Sequence, residues 1–286
     1  MLFHCKYILK QSVVLGIGLG LLSCGLPKPR PNIYHIESDG AVVALILGEG
    51  MARSFAHAGV IKALEEEKIP FHLIVGSGMG ALVAALYANK KSANDLEWHM
   101  MSFQKSTYLN FQILDFLKKR IVVDRLEALP FPILTVATDL KTGKIHYFEK
   151  GSIAQAVQSS MAIPGFFKPI RYNQMALVSS EINHGIPVDI AKSRGADLMI
   201  AVDLMQGIER YHFRDKEDIT LQSYKITSMA HSARQLKLAD MVIRPQVSNI
   251  DFLDFSKKRQ AFLAGYQAAH AVIPQLREIL DIKEEE

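Results

Sequence analysis

The chain has 286 residues, 49% hydrophobic and 22% charged, a balance that supports a sizeable folded core and excludes a disordered or low-complexity polypeptide. Its formal net charge is +4, from 33 Lys and Arg against 29 Asp and Glu. An excess that small and dispersed argues against nucleic acid as a partner, and two cysteines are too few for a disulfide framework.

The N-terminal stretch, residues 1–23, carries Lys6 and Lys10 ahead of an apolar run from Val13 to Leu22. A basic start followed by an apolar run too short to span a bilayer comfortably predicts an export signal. The stretch ends in Leu21-Leu22-Ser23-Cys24, which resembles the bacterial lipobox. That resemblance implies cleavage before Cys24 and acyl chains (palmitate among them) on the new N-terminus, enough for stable anchoring. Gly25 stands where an Asp would resemble an inner-membrane retention signal, so the outer membrane is the favoured destination. From Leu26 to Asp39, prolines 27, 29 and 31 alternate with Lys28 and Arg30, which predicts an extended tether.

Folded elements follow. Ala41 to Leu47 is a continuous apolar run, the pattern of a buried parallel strand. A helix with Phe55, Ala58, Ile61 and Leu64 on its core face follows Gly48 to Arg53 and stops at Lys68-Ile69-Pro70. Leu73 to Val75 reads as a second strand, and Ala- and Leu-rich sequence to Asn89 reads as a helix. Asn94 to Gln104 is helical and holds the one tryptophan, Trp98. Strands are expected at Pro132 to Asp139, Lys144 to Glu149, Met175 to Ser179 and Leu198 to Leu204, with a helix at Ile153 to Met161. Alternating strands and helices predict an α/β protein whose central sheet is mostly parallel and covered on both faces. Near the C-terminus, Phe262, Tyr266, Ala269, Ile273, Leu276 and Leu280 predict one long helix kinked at Pro274.

The turn between the second strand and its helix reads Gly76-Ser77-Gly78-Met79-Gly80. A strand, a glycine turn and a helix make the setting of a nucleophile elbow, G-x-S-x-G, yet its central position is Gly78. Together with Gly48-Glu49-Gly50-Met51-Ala52-Arg53, Phe55-Ala56-His57-Ala58-Gly59, Ala137-Thr138-Asp139, Ala162-Ile163-Pro164-Gly165 and Pro187-Val188-Asp189, this turn resembles the patatin-like phospholipase family. The likeness runs from about Ala41 to Leu280, in the family's motif order.

The resemblance implies a three-layer α/β/α fold, with residues 41–205 as its core and residues 206–286 as a C-terminal helical part of the same domain. It also implies a serine acyl hydrolase with a Ser-Asp dyad and no cofactor. Here the nucleophile position holds Gly78, and the Asp position in Leu177-Val178-Ser179-Ser180-Glu181 holds Ser179. A hydroxyl of ordinary pKa is no base near neutrality. The oxyanion segment keeps Gly48, Gly50 and Arg53 but admits Glu49, a carboxylate where negative charge would develop. Three outcomes are open for Glu49: it stays beside the donors and opposes that charge, it swings to solvent, or it pairs with Arg53.

The expectation is therefore an inactive, lipid-anchored member that binds lipid or a fatty-acyl ligand, or serves as a scaffold, at the envelope. The alternative is an active esterase using Ser77, with Glu181 or His184 as a displaced base. Strand periodicity aims Ser77 away from the oxyanion donors, which favours a hydrogen bond within the turn, and Glu181 and His184 read as polar loop residues. His57 reads as a packed helix histidine, and Asp139 and Asp203 as loop organisers at strand ends. A dinucleotide fingerprint, a phosphate-binding P-loop and zinc spacing are not found in the sequence.

Overall fold

The computed structural model describes residues 40–207 and 215–282. The expected signal, the expected lipidation position Cys24 and the expected tether lie outside the described residues.

In chain order the elements are β1 (Val43–Leu47), α1 (Phe55–Glu66), β2 (Leu73–Ser77), α2 (Met79–Lys90), α3 (Ala93–Ser102), α4 (Lys105–Leu109) and α5 (Ile113–Lys118). Then come β3 (Ile133–Asp139), β4 (Ile145–Phe148), α6 (Ile153–Met161), β5 (Ile170–Tyr172), β6 (Met175–Ser179), α7 (Val188–Ser193) and β7 (Leu198–Val202). The rest is α8 (Lys216–Gln235), β8 (Met241–Ile243), α9 (Lys258–His270) and α10 (Ile273–Ile279).

The strands form one sheet in the order β5-β6-β3-β2-β1-β7-β8, with β4 on β3. From β3 to β8 the pairing is parallel, while β4 and β6 run antiparallel to β3 and β5 antiparallel to β6. β1 lies between β2 and β7, so every residue of Val-Ala-Leu-Ile-Leu is buried. Its residues alternate between the two apolar layers, Val43, Leu45 and Leu47 on one side and Ala44 and Ile46 on the other. That two-sided burial is why the strand reads as an unbroken apolar run.

Helix α1 is packed against α9 closely enough to exclude any side chain at the crossing. A Cβ on Gly59 would overlap the Phe262 carbonyl oxygen, and one on Gly265 would overlap the Ala56 carbonyl oxygen. Each helix thus presents a glycine to the other's backbone.

The register of β3 brings two strand ends together: Ser77 of β2 is opposite Val136, and Ser179 of β6 is opposite the next residue, Ala137.

Two expectations about the elements are corrected. The predicted long C-terminal helix is two helices, because the chain breaks at Ala271-Val272 and Pro274 occupies the first turn of α10. Proline lacks the N–H a continuous helix needs but fits a first turn, where that donor has no partner. The region 206–286 is not wholly helical: β8 adds to the sheet beside β7, and three residues are too few to show a period. The longest helix of that region is α8, with 20 residues.

Candidate functional site

The end of β1 and the end of β2 each feed a glycine turn into a helix, and the two turns face one another. Gly78 caps α2 with φ 55° and ψ −131°, in the left-handed half of backbone space where side chains are strained. Gly80 lies against the Leu47 carbonyl, so the outer glycine serves close approach, as the elbow pattern predicts. The Gly78 N–H donates to Ser160 Oγ (3.1 Å), and that hydroxyl donates to the Val136 carbonyl (2.7 Å).

Glu49 occupies the space beside Gly78. It is 1% exposed, and its Oε1 accepts hydrogen bonds from the N–H groups of Gly50 (2.8 Å) and Met51 (2.6 Å). Its Oε2 accepts from the Met79 N–H (3.1 Å), the residue after the elbow. A Cβ added at Gly78 would fall inside this carboxylate. Glu49 therefore neither swings to solvent nor turns to Arg53. The buried Arg53 guanidinium donates to the carbonyls of Ile250 (2.7 Å) and Ser248 (3.1 Å) and stacks on Phe252. Backbone donors offer a carboxylate more than an arginine already engaged elsewhere.

Burial pushes the Glu49 carboxyl up to about 7, against the lowering effect of the Met51 and Gly50 N–H groups, and the nearby Glu181 adds to the rise. Glu181 is itself fully buried, and desolvation raises it too. Its Oε1 accepts from Ser77 Oγ (2.5 Å) and its Oε2 from Ser228 Oγ of α8 (2.5 Å). The Glu49 N–H also points at Glu181 Oε1 (3.4 Å). Two expectations change here. Ser77 bonds Glu181 and not its own turn, and Glu181, read as a polar loop residue, is a buried member of the site.

Ser179 ends β6 and shares a hydrogen bond of 2.8 Å with the Tyr224 hydroxyl, which burial holds well above its ordinary range. His184 is not brought to Ser77; its Nε2 bonds Asp189 Oδ1 at 2.8 Å. His57 Nε2 donates to the Gly48 carbonyl (2.8 Å), and burial lowers the ring to about 4, so it is a neutral packing residue that fixes the oxyanion turn. Asp139 accepts from the N–H groups of Lys141 and Ala176, and Asp203 from that of Met205. Both hold loops, as their positions at strand ends predict.

Ser160, Tyr224 and Ser228 were not legible as site residues. Ser160 lies in the Ser160-Met161-Ala162 run but carries no charge to mark it. The other two lie on α8, whose buried residues include Asp218, Gln222, Lys225, Ser228 and Ser232. That spacing is helical, but the residues are polar, so a search for apolar periodicity passes over it. A period search on polar residues would have found it.

Comparison with known proteins fits this geometry. The family model described as Patatin-like phospholipase matches residues 45–120, which include both glycine turns. An uncharacterized NTE family protein of Mycobacterium tuberculosis is 35% identical over 204 residues, 66% of this chain and 56% of the relative. The chain belongs to the patatin-like phospholipase family. Patatin-like phospholipase domain-containing protein 6 of Homo sapiens is 27% identical over 286 residues, 82% of this chain and 20% of that protein. The chain thus spans about half of the mycobacterial relative and a fifth of the human one. Among solved structures, VipD from Legionella pneumophila shares the patatin-like fold, with a TM-score of 0.50 at 15% identity over 84% of this chain and 67% of that one.

Proposed function

We propose that this chain is a patatin-like protein without hydrolase activity, acting at the bacterial envelope by binding lipid or serving as a scaffold. One observation carries the reading: the Glu49 carboxylate fills the backbone cradle beside Gly78. In a serine acyl hydrolase such N–H groups stabilise the oxyanion that develops in the transition state. Here they already hold a carboxyl group supplied by the chain, and the space a nucleophile's Cβ would need is taken. Ser179 adds no base, since its hydroxyl is engaged with Tyr224. The loss is supported at three positions, Glu49 and Gly78 in contact with one another and Ser179 on the neighbouring strand end.

A reactive fluorophosphonate probe and short activated esters test this reading. No labelled adduct in an intact-mass spectrum and no turnover are expected. A second reading has its own observation, the 2.5 Å hydrogen bond between Ser77 and Glu181, a hydroxyl beside a buried carboxylate of raised pKa. It is disfavoured because Ser77 is fully buried and the N–H cradle is filled. An adduct that vanishes in Ser77→Ala would establish it and overturn the first.

The anchor is a separate part of the proposal, supported by Leu21-Leu22-Ser23-Cys24. Cys24→Ala is expected to abolish metabolic fatty-acid labelling, and unchanged labelling refutes the anchor.

A further inference from the structure

The segment from Lys105 to Arg125, comprising α4, α5 and the turn after them, leaves apolar side chains in the open. Val122 is 92% exposed, the most of any large hydrophobic residue among those described, and Leu109 is 41% exposed. Phe111, Leu114 and Val123 are half-buried on the same stretch. Between α5 and the start of α6 lies a cavity of about 360 Å³, lined by Leu114, Leu117, Ile121, Val122 and Ile153, with Lys118 at its edge.

The same segment is basic. It holds Lys105, Lys118, Lys119, Arg120 and Arg125 against Asp115 and Asp124, an excess of three where the whole chain has only +4. Two of the five cations are committed. Arg120 donates to the Phe116 carbonyl and to Ser102 Oγ, and Arg125 pairs with Glu127 at 2.6 Å. Lys105, Lys118 and Lys119 are exposed.

We infer that this face docks on an anionic lipid surface, with Val122 entering the acyl boundary and the three lysines meeting head groups. The charge decides the partner. Exposed apolar side chains beside uncommitted lysines are the composition that gains from both acyl burial and an anionic surface potential. The inference stands whether or not the site at Gly78 is active, because none of its residues belongs to that site.

The test uses the full chain with Cys5 and Cys24, its two cysteines, changed to Ala and one new cysteine carrying an environment-sensitive fluorophore. Placed by Val122→Cys, the fluorophore should shift to the blue on vesicles of phosphatidylcholine with phosphatidylglycerol, and a nitroxide on the lipid chains should quench it. Placed by Lys192→Cys, on exposed α7 packed to the other face of the sheet, it should do neither. The contrast between the two positions reads this face even if the N-terminus also holds the membrane. Changing Lys118 and Lys119 together to Ala should weaken the lipid-dependent shift about 30-fold in lipid concentration, at roughly a factor of five per basic residue. High salt should do the same. No shift at position 122 on anionic vesicles, an equal shift on pure phosphatidylcholine, or a shift given by polyglutamate but not by vesicles would each overturn the inference.

Discussion

Residues 49 and 78 depend on each other. Glu49 can reach the three N–H donors only because position 78 has no Cβ, and Gly78 is free of the strain that a side chain at φ 55° would bear. Gly78→Ala should therefore cost at least about 3 kcal/mol in urea unfolding, combining backbone strain with a displaced buried carboxylate. In a Glu49→Gly background the same change should cost about 2 kcal/mol less, a coupling that distant sites do not show. Additive costs in that cycle would mean that the carboxylate is not seated beside Gly78. The pH dependence follows from the raised Glu49 carboxyl. Its folded value of about 7 lies above the ordinary 4.5, so the stability it contributes is full below about 4.5 and is lost as pH rises through 7. The swing is about 3 kcal/mol. His57, lowered to about 4 from 6.5, contributes the opposite slope, stability present above 6.5 and lost as pH falls through about 4. In the wild type these two slopes oppose one another. Subtracting it from that of Glu49→Gln, which keeps His57, should expose a difference that grows in the variant's favour from about pH 4.5 to 7. A difference that stays constant with pH would place the raised carboxyl elsewhere.

At the scale of elements, the crossing of α1 and α9 is the contact with the least tolerance. Gly59→Ala or Gly265→Ala places a methyl on a carbonyl oxygen of the opposite helix, so the helices must separate. A loss of about 3 kcal/mol or more is expected in denaturant midpoints for either change, from overpacking against backbone that cannot rotate away. Gly40→Ala, where an added Cβ meets nothing within 4 Å, should change stability by less than about 0.5 kcal/mol. Comparable effects at all three positions would remove the crossing as the cause. Helix α8 makes a different point: its buried side bonds Glu181 and Ser179 through Ser228 and Tyr224, while Ile219 and Ile226 face outward. Its buried side is mixed, because Leu221 and Tyr224 join the apolar core while Ser228 reaches the polar site.

On the scale of the whole molecule, the sheet and its two apolar layers hold a patatin-like fold around the two glycine turns. β3 still sets the ends of β2 and β6 on neighbouring residues. Returning a nucleophile by Gly78→Ser should fail alone, since Glu49 must leave first, and Ser179→Asp alone has nothing to activate. Glu49→Gly, Gly78→Ser and Ser179→Asp combined should give weak ester hydrolysis with a covalent acyl-enzyme detectable by mass spectrometry, because such groups act as a unit. A folded triple variant that forms no adduct would show that the pocket has been remodelled beyond these three positions.

The strand and helix order was legible from sequence wherever burial was apolar on both sides or periodic, as in β1, β2, β3 and α2. The motif order carried the family, and the glycine turn carried the elbow, because φ above zero and close backbone approach leave a signature that only glycine fits. Gly78 and Ser179 are likewise legible as the residues at the positions where the family resemblance implies a dyad. Where the side chains went was not. Periodicity says which face of a strand Ser77 is on, but not that Glu181 and Ser228 arrive there from 104 and 151 residues downstream, positions read directly from the numbering. Nor could it say whether Glu49 meets solvent, Arg53 or a ring of N–H donors, since that depends on what else competes for each partner. Local sequence determined the backbone and its turns. Only the tertiary structure decided that the anion cradle is filled by the chain's own carboxylate, because hydrogen-bond competition in a closed interior is settled by residues far apart in sequence.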